Sequence, residues 1–298
     1  MKMLSTIALS LITLGVIVFF TVSPRNVFSF DTKPIHLKEK VGSQNIEEVT
    51  ISSSFADIEV LPSEKEEIEI EVKGEVNPKN DQLNVDVKGK ELRVQFPVNQ
   101  QVFTFSLGGS NQATLTVSLP RKQYEQVDVD SSSGRIDIKD LSAVHLRAES
   151  SSGDQTITDS DIKKRVELGS SSGRIYTENI TTREISLEAS SGEIENRSLR
   201  AESSEAHTSS GNVAFFNHKA DTDLYVHTSS GDTTIEFDGK PTSTRILYSS
   251  SSGEASLQYE GFRFNKISDS NLDGQIGDGD ALIEVESSSG DLHVRKGE

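Results

Sequence analysis

The tripeptide Ser-Ser-Gly returns eight times, its glycine falling at Gly134, Gly153, Gly173, Gly192, Gly211, Gly231, Gly253 and Gly290. The intervals are 19, 20, 19, 19, 20, 22 and 37 residues, and the last predicts a degenerate copy between Gly253 and Gly290. A regular period near 20 means stacked supersecondary units, each of which buries its apolar face only against the next. Aligned on glycine, position minus seven holds Val127, Leu146, Val166, Ile185, Ser204, Leu224, Ile246 and Ile283. Position minus five holds Val129, Ala148, Leu168, Leu187, Ala206, Val226, Tyr248 and Val285. Apolar residues recur at plus two and plus four, as in Ile136 and Ile138 or Leu292 and Val294. Period-two alternation on both sides of a turn reads as strand, corner, strand.

A unit this short leaves no room for a helix, so each strand is expected to pair with its equivalent in the next coil. The fold class is therefore all-β, a parallel β-helix or β-solenoid of 19 or 20 residues per coil, with coils about 4.8 Å apart. Glycine at the corner predicts a positive φ. Position minus three is always small, from Ser131 to Ser287, which marks a tight inward corner; the two serines before each glycine are expected to stack coil on coil. Outward of the corner, Arg135, Asp154, Arg174 and Glu193 alternate in sign, as cross-strand charge pairs would. Further acids at minus four and minus six make either a solvated wall or a face for cations or a basic partner.

A rod of this kind needs few apolar side chains per coil, which reconciles order with a chain of 298 residues, net charge -17 and 33% hydrophobic residues. Cysteine and tryptophan are absent, which excludes a disulfide scaffold and a thiol or Cys-ligated metal site. The acidic balance argues against nucleic acid as a partner. Residues 4–22 carry no charge and, as a helix, reach about one hydrocarbon thickness, so they are expected to anchor the chain in a lipid bilayer. A signal peptide cleaved near Val27-Phe28-Ser29 is the competing reading. Arg25, Lys33, Lys38 and Lys40 follow the segment, and the positive-inside rule taken alone would keep the body in the cytoplasm.

The expected organisation is an anchor over 1–24, a linker over 25–45, a strand-rich cap of antiparallel or irregular coils over 46–125 and the repeat solenoid over 126–298. Within the cap, Ser52-Ser53-Ser54-Phe55 resembles a degenerate corner, while Asn77-Pro78 and Gly108-Gly109 mark turns. At the far end His293-Val294-Arg295-Lys296 is expected to be an edge strand, guarded by its charges or open to strand addition.

An N-terminal membrane segment, a strand-rich leader closing on Leu119-Pro120 and repeated Ser-Ser-Gly corners together resemble the LiaG-like branch of the bacterial putative-adhesin family. Gly277-Asp278-Gly279 followed by Ser287-Ser288-Ser289-Gly290 fits the same pattern. The resemblance spans the whole chain and implies a right-handed β-helix, a single membrane anchor, an extracytoplasmic body and a link to the envelope-stress response. It carries over no catalytic residues.

Three local patterns compete with the repeat. Gly169-Ser170-Ser171-Ser172-Gly173 satisfies the nucleophile-elbow pattern, but an elbow needs a strand running into a helix, and here the stretch is one corner among eight. His207 and His227 hold equivalent outward positions in adjacent coils and are expected to stack at the surface. Between Asp269 and Asp280, the oxygen-bearing side chains Asp269, Asn271, Asp273, Gln275 and Asp280, with Gly274 at the sixth position, resemble a calcium loop of EF-hand type. A polar insertion is the alternative, and no other cofactor is expected.

The function these features favour is that of a non-enzymatic, membrane-anchored surface protein contacting a cell-envelope polymer or a membrane protein. A regulatory interaction module of an envelope-stress system is the alternative. A polysaccharide-acting enzyme, which β-helices also support, comes third, because no aromatic sugar platform or irregular acid–Arg cluster interrupts the serine wall. Oligomeric state is not encoded in any of these features.

Overall fold

The structure, a computed structural model, describes residues 33–76, 82–97 and 112–297. The expected anchor at 4–22 and the turns at Asn77-Pro78 and Gly108-Gly109 lie outside the described residues. Among the described residues no helix is long and apolar enough to cross a membrane; they form strands and turns.

Ahead of the repeats come β1 (Lys33–Gly42), β2 (Glu48–Ser53), β3 (Asp57–Ser63), β4 (Glu67–Val76), β5 (Asn84–Lys88), β6 (Glu91–Phe96) and β7 (Gln112–Pro120). Each repeat then supplies one strand before its corner and a shorter one after it. These are β8 (Tyr124–Ser131) and β9 (Ile136–Lys139), β10 (Ser142–Ser150) and β11 (Gln155–Thr158), β12 (Asp161–Ser170) and β13 (Ile175–Glu178), and β14 (Thr181–Ala189) and β15 (Ile194–Arg197). They continue with β16 (Ser203–Thr208) and β17 (Val213–His218), β18 (Asp223–Thr228) and β19 (Thr233–Phe237), and β20 (Thr244–Ser250) and β21 (Ala255–Leu257). A hairpin of β22 (Arg263–Ser268) and β23 (Asn271–Ile276) follows, and the last coil is β24 (Ala281–Ser287) and β25 (Leu292–Lys296).

Like strands stack on like, in parallel and in register. Leu146 of β10 aligns with Val127 of β8 and Val166 of β12, and Ile157 of β11 with Ile138 of β9 and Thr177 of β13. Two sheets result, of 12 and 13 strands, facing each other across a narrow core. The minus-seven and minus-five columns are buried along the whole rod, including the small members Ser204 and Ala206. Each fully buried Val, Leu or Ile contributes roughly 1.5–3 kcal/mol, so a few inward residues per coil suffice when coils are repeated.

The cap continues the same stack. β2 and β3 form a true coil whose degenerate corner closes at Ala56, and β6 and β7 pair in parallel with β2 and β3. β4 then lies antiparallel on β7 and β5 antiparallel on β6. β1 lies antiparallel on β4, so Lys33–Gly42, inside the stretch expected to be linker, is a strand. Its apolar content is too low to signal one; its cations do the work, with Lys38 2.9 Å from Glu71 and Lys40 2.9 Å from Glu67.

The far end departs from the sequence order. β24 inserts between β18 and β20, and β25 between β19 and β21, so the final coil is interior and β20–β21 lies beyond it. No degenerate coil separates Gly253 from Gly290. The intervening chain forms the β22–β23 hairpin, which folds back antiparallel onto β20. Of His293–Lys296, expected at an edge, His293 and Val294 are paired on both sides and Arg295 and Lys296 with β19 alone, and the strands at this end's edges are β21 and β22 instead.

Corner glycine is required for a different reason from the one expected. None of the eight has a positive φ. Gly134 packs directly on the carbonyl of Ala56 in the cap coil, and each of the other seven on the carbonyl of the neighbouring coil's glycine: a Cβ on Gly173 would lie 2.5 Å from the carbonyl carbon of Gly153 and 3.0 Å from Asp154 N. The glycines form one unbroken row, which runs through Gly231, Gly290 and Gly253 at the inserted coil. Left-handed backbone occurs at the opposite corner, at Asp140, Asp159, Asn179, Ser198 and Asn217, with φ between 51° and 55°. Short polar side chains tolerate that conformation best among non-glycine residues. The sequence signal is an Asp, Asn or Ser six residues after each of the first five glycines, whereas Phe237, Tyr259 and Lys296 hold that place after Gly231, Gly253 and Gly290.

Candidate functional site

The serine corner is built from the backbone outward. Ser151 N–H donates to Ser131 O and Ser152 N–H to Ser132 O, both at 3.1 Å, and the pattern repeats at Ser171, Ser172, Ser190 and Ser191. The ladder therefore runs through the corner and holds both serines of every repeat in line. Their side chains are exposed at all eight corners, giving two parallel rows of hydroxyls. The hydroxyl at minus three turns inward and locks the bend. Ser150, Ser170 and Thr208 accept from the N–H of Gly153, Gly173 and Gly211 at 2.8, 2.8 and 3.0 Å. Ser53 does the same for Ala56 at 2.8 Å. Ser131 instead donates to Gly134 O, and Ala189 leaves the Gly192 corner without this brace.

Beside the serines, the outward minus-four column reads Asp130, Glu149, Gly169, Glu188, His207, His227 and Glu286 in spatial order. Glu149 lies across Gly169, where any side chain would strike its carboxylate. Burial pushes the Glu149 carboxyl above its ordinary pKa, and the carboxylates of Asp130, Glu188 and Glu167 add to the rise against the pull of Arg147. Burial likewise raises Asp128. Two hollows of about 340 and 380 Å³ lie along this strip and share Glu149, Ser150 and Ser171. They make one trough from Ser52 to Ser229, lined by hydroxyls, carboxylates and the imidazoles of His207 and His227. An open, polar, repetitive trough can hydrogen-bond an extended molecule at many equivalent points.

The outward column after glycine joins coils through the backbone as well as through charge. Arg135 pairs with Asp57 at 3.0 Å, as alternation of sign predicts. Asp154 also accepts the N–H of Arg174 at 2.8 Å, and where the column turns acidic Asp232 accepts that of Asp291 at 2.9 Å and Asp291 that of Glu254 at 2.8 Å. A carboxylate capping its neighbour's amide needs no cation opposite it.

Ser171, which holds the nucleophile position of the elbow-like stretch, is exposed, and among the described residues no hydrogen bond joins it to an imidazole or carboxylate; its neighbour Ser170 is buried and accepts from Gly173 N–H. The calcium-type stretch is not a loop. Leu272 is buried against β20, which draws Asn271–Ile276 into β23 and spreads Asn271, Asp273 and Gln275 along its outer face. Asp273 is held by Arg245 at 2.9 and 3.0 Å, Asp280 accepts from Ser243 at 2.8 Å, and Gln275 donates to Gly277 O. Asp269 sits in the β22–β23 turn. Among the described residues no three His, Asp or Glu side chains converge to hold a metal ion. His207 and His227 do meet, in register, with ring centroids 6.0 Å apart. A third hollow of about 320 Å³ lies at the opposite corner between cap and repeats, where Arg121 is engaged with Glu64 and Asp140 and Lys122 with the carbonyls of Ser43 and Ile46.

Residues 46–295 match the family model described as Toastrack DUF4097. A solved structure of a putative lipid binding protein from Parabacteroides distasonis is 18% identical, with 87% of this chain and 97% of that one covered and a TM-score of 0.51. A putative adhesin from Bacteroides fragilis is 14% identical over 88% of this chain and 97% of that one, with a TM-score of 0.49. No curated protein matches the sequence.

Proposed function

Because the chain belongs to the Toastrack DUF4097 family, we propose that it is a non-enzymatic surface protein whose rod binds an extended component of the cell envelope along the serine trough. Residues 4–22 hold it in the membrane with the body outside the cytoplasm, and its role accompanies the envelope-stress response, as the LiaG-like sequence pattern implies. The observation that carries this reading is the trough itself. The same hydroxyl pair recurs at every coil, about 4.8 Å apart, beside a column rich in carboxylates. Such a surface offers many weak, equivalent contacts, which suits a polymer or a long partner and does not suit chemistry at one bond.

Affinity along such a strip grows with ligand length through effective concentration. The intact chain in detergent micelles is therefore expected to bind wall glycan fragments with affinity that rises with fragment length. Replacing Ser151, Ser171 and Ser190 by bulky Gln should abolish binding while leaving the circular dichroism spectrum unchanged. Lipid, the ligand class in the description of the Parabacteroides protein, forms the comparison arm, presented as vesicles. Binding that is independent of fragment length, or that survives the triple substitution, refutes the trough as the binding surface. Protease treatment of intact cells tests topology, and a protected body refutes the extracytoplasmic placement.

A further inference from the structure

The inserted final coil adds a fourth side chain, from far along the chain, to three that stack on consecutive coils. Glu188 of β14, His207 of β16, His227 of β18 and Glu286 of β24 occupy the same register position on four successive parallel strands. His207 Nε2 lies 2.7 Å from Glu205 Oε1, and His227 Nδ1 lies 3.5 Å from Glu286 Oε2, which also accepts from the Tyr225 hydroxyl at 3.0 Å. His207 thus has one nitrogen hydrogen-bonded to a carboxylate, and His227 turns one nitrogen toward a carboxylate at ion-pair distance. The other nitrogens, Nδ1 of His207 and Nε2 of His227, have no side-chain or backbone partner among the described residues, and both rings line the trough. Glu188 makes no ion pair there either.

Imidazole with one nitrogen on a carboxylate and the other free is the arrangement metal-binding histidines adopt, because the carboxylate fixes the ring and raises its basicity. We infer that His207, His227 and Glu188 form a surface binding site for a borderline divalent transition ion of the zinc class, with Glu205 and Glu286 as the supporting carboxylates. The side chains as they stand do not converge on one point. His227, 48% exposed, turns about its χ angles with little packing resistance, and His207, 34% exposed, turns against the Tyr225 ring at a centroid distance of 5.5 Å, to bring nitrogens within roughly 2.0–2.1 Å of an ion. Water completes the coordination shell. Imidazole ligands select zinc, copper or nickel over calcium and magnesium, which prefer oxygen. The rings bind in the neutral form, so the site empties as they protonate.

The test is titration of the intact chain, in detergent, with zinc chloride, followed by calorimetry and by the histidine ring signals in NMR. One equivalent is expected to bind at pH 7.5, shifting the signals of His207 and His227 and leaving His36, His145, His218 and His293 in place. His207→Ala and His227→Ala should each weaken binding at least tenfold and Glu188→Gln severalfold, while calcium chloride should produce no shift. Both histidines are on the surface, and an unchanged circular dichroism spectrum verifies that the variants fold. Absence of zinc binding, retention of stoichiometry and affinity in the double histidine variant, shifts confined to the other four histidines, or equal competition by calcium would each overturn the assignment.

Discussion

Replacing a mid-rod glycine by alanine separates the two reasons a corner can demand glycine. A Cβ on Gly173 would stand 2.5 Å from the carbonyl carbon of Gly153, against a comfortable carbon–carbon separation of roughly 3.5–4.0 Å. The coils must therefore part by about 1 Å at this point. The corner is tied to its neighbour by Ser172 N–H on Ser151 O at 3.1 Å and Arg174 N–H on Asp154 Oδ1 at 2.8 Å, and such an opening breaks both. Two hydrogen bonds at about 1 kcal/mol each, with overpacking strain of about 1–3 kcal/mol, place Gly173→Ala at a loss of about 3–5 kcal/mol. Gly42→Ala is the control, since nothing lies within 4 Å of its Cβ position; it should change stability by less than about 0.5 kcal/mol. Urea unfolding of the intact chain followed by far-ultraviolet circular dichroism gives both values. Amide exchange at Ser172 and Arg174 reports whether the loss is local to the corner, as nearest-neighbour stacking predicts. Gly173→Asn decides the mechanism. Asparagine relieves a left-handed requirement but not a steric one, so it should be at least as damaging as alanine. An asparagine variant near wild-type stability, or an alanine variant within experimental error of Gly42→Ala, would refute the close-packing argument.

Three other outcomes follow from the corner and the core. Ala189→Ser supplies the missing acceptor for Gly192 N–H and should stabilise the chain by about 1 kcal/mol, whereas Ser170→Ala removes the acceptor of Gly173 and should cost about 1–3 kcal/mol; urea midpoints of the two variants should move in opposite directions. Thr177 is fully buried with its hydroxyl unpartnered, so Thr177→Val should raise stability by about 1 kcal/mol, measured in the same way. His218 is buried between Phe215 and Phe237, at centroid distances of 5.6 and 6.2 Å, and burial pushes its pKa down to about 4. Its folded pKa lies below the unfolded value of about 6.5, so its contribution is complete above that value and is lost as pH falls towards 4, by about 3 kcal/mol. Comparing wild type with His218→Phe at pH 7 and pH 4.5 should show the variant losing less stability on acidification.

Much of the architecture was legible because it is local and repeated. Inward positions alternate with outward ones over a few residues, so aligning the copies on glycine separated the Val127-to-Val285 columns from the acidic face without knowledge of any long-range contact. The steric role of the glycines was not legible, because it depends on the distance between coils and the sequence records only residue type. β1 was hidden by its composition: a strand held by lysines against Glu67, Glu69 and Glu71 carries no apolar period. The ligand-like spacing of 269–280 did not reveal the strand there, because Leu272 draws Asn271–Ile276 into β23 through burial against β20, a long-range contact that spacing does not record.

Period, the paired strands of each repeat, core columns and the exposed serine rows were determined by the sequence alone, since alternation and turn chemistry act over neighbouring residues. The order of the coils was decided only in three dimensions. Every coil presents nearly the same edge to its neighbours, so local preference cannot choose between stacking β24 beyond β20 and inserting it before β20. The β22–β23 hairpin makes the choice by occupying the outer edge of β20, which leaves the inner edge to β24 and sets Glu286 beside His227, 59 residues away in the chain.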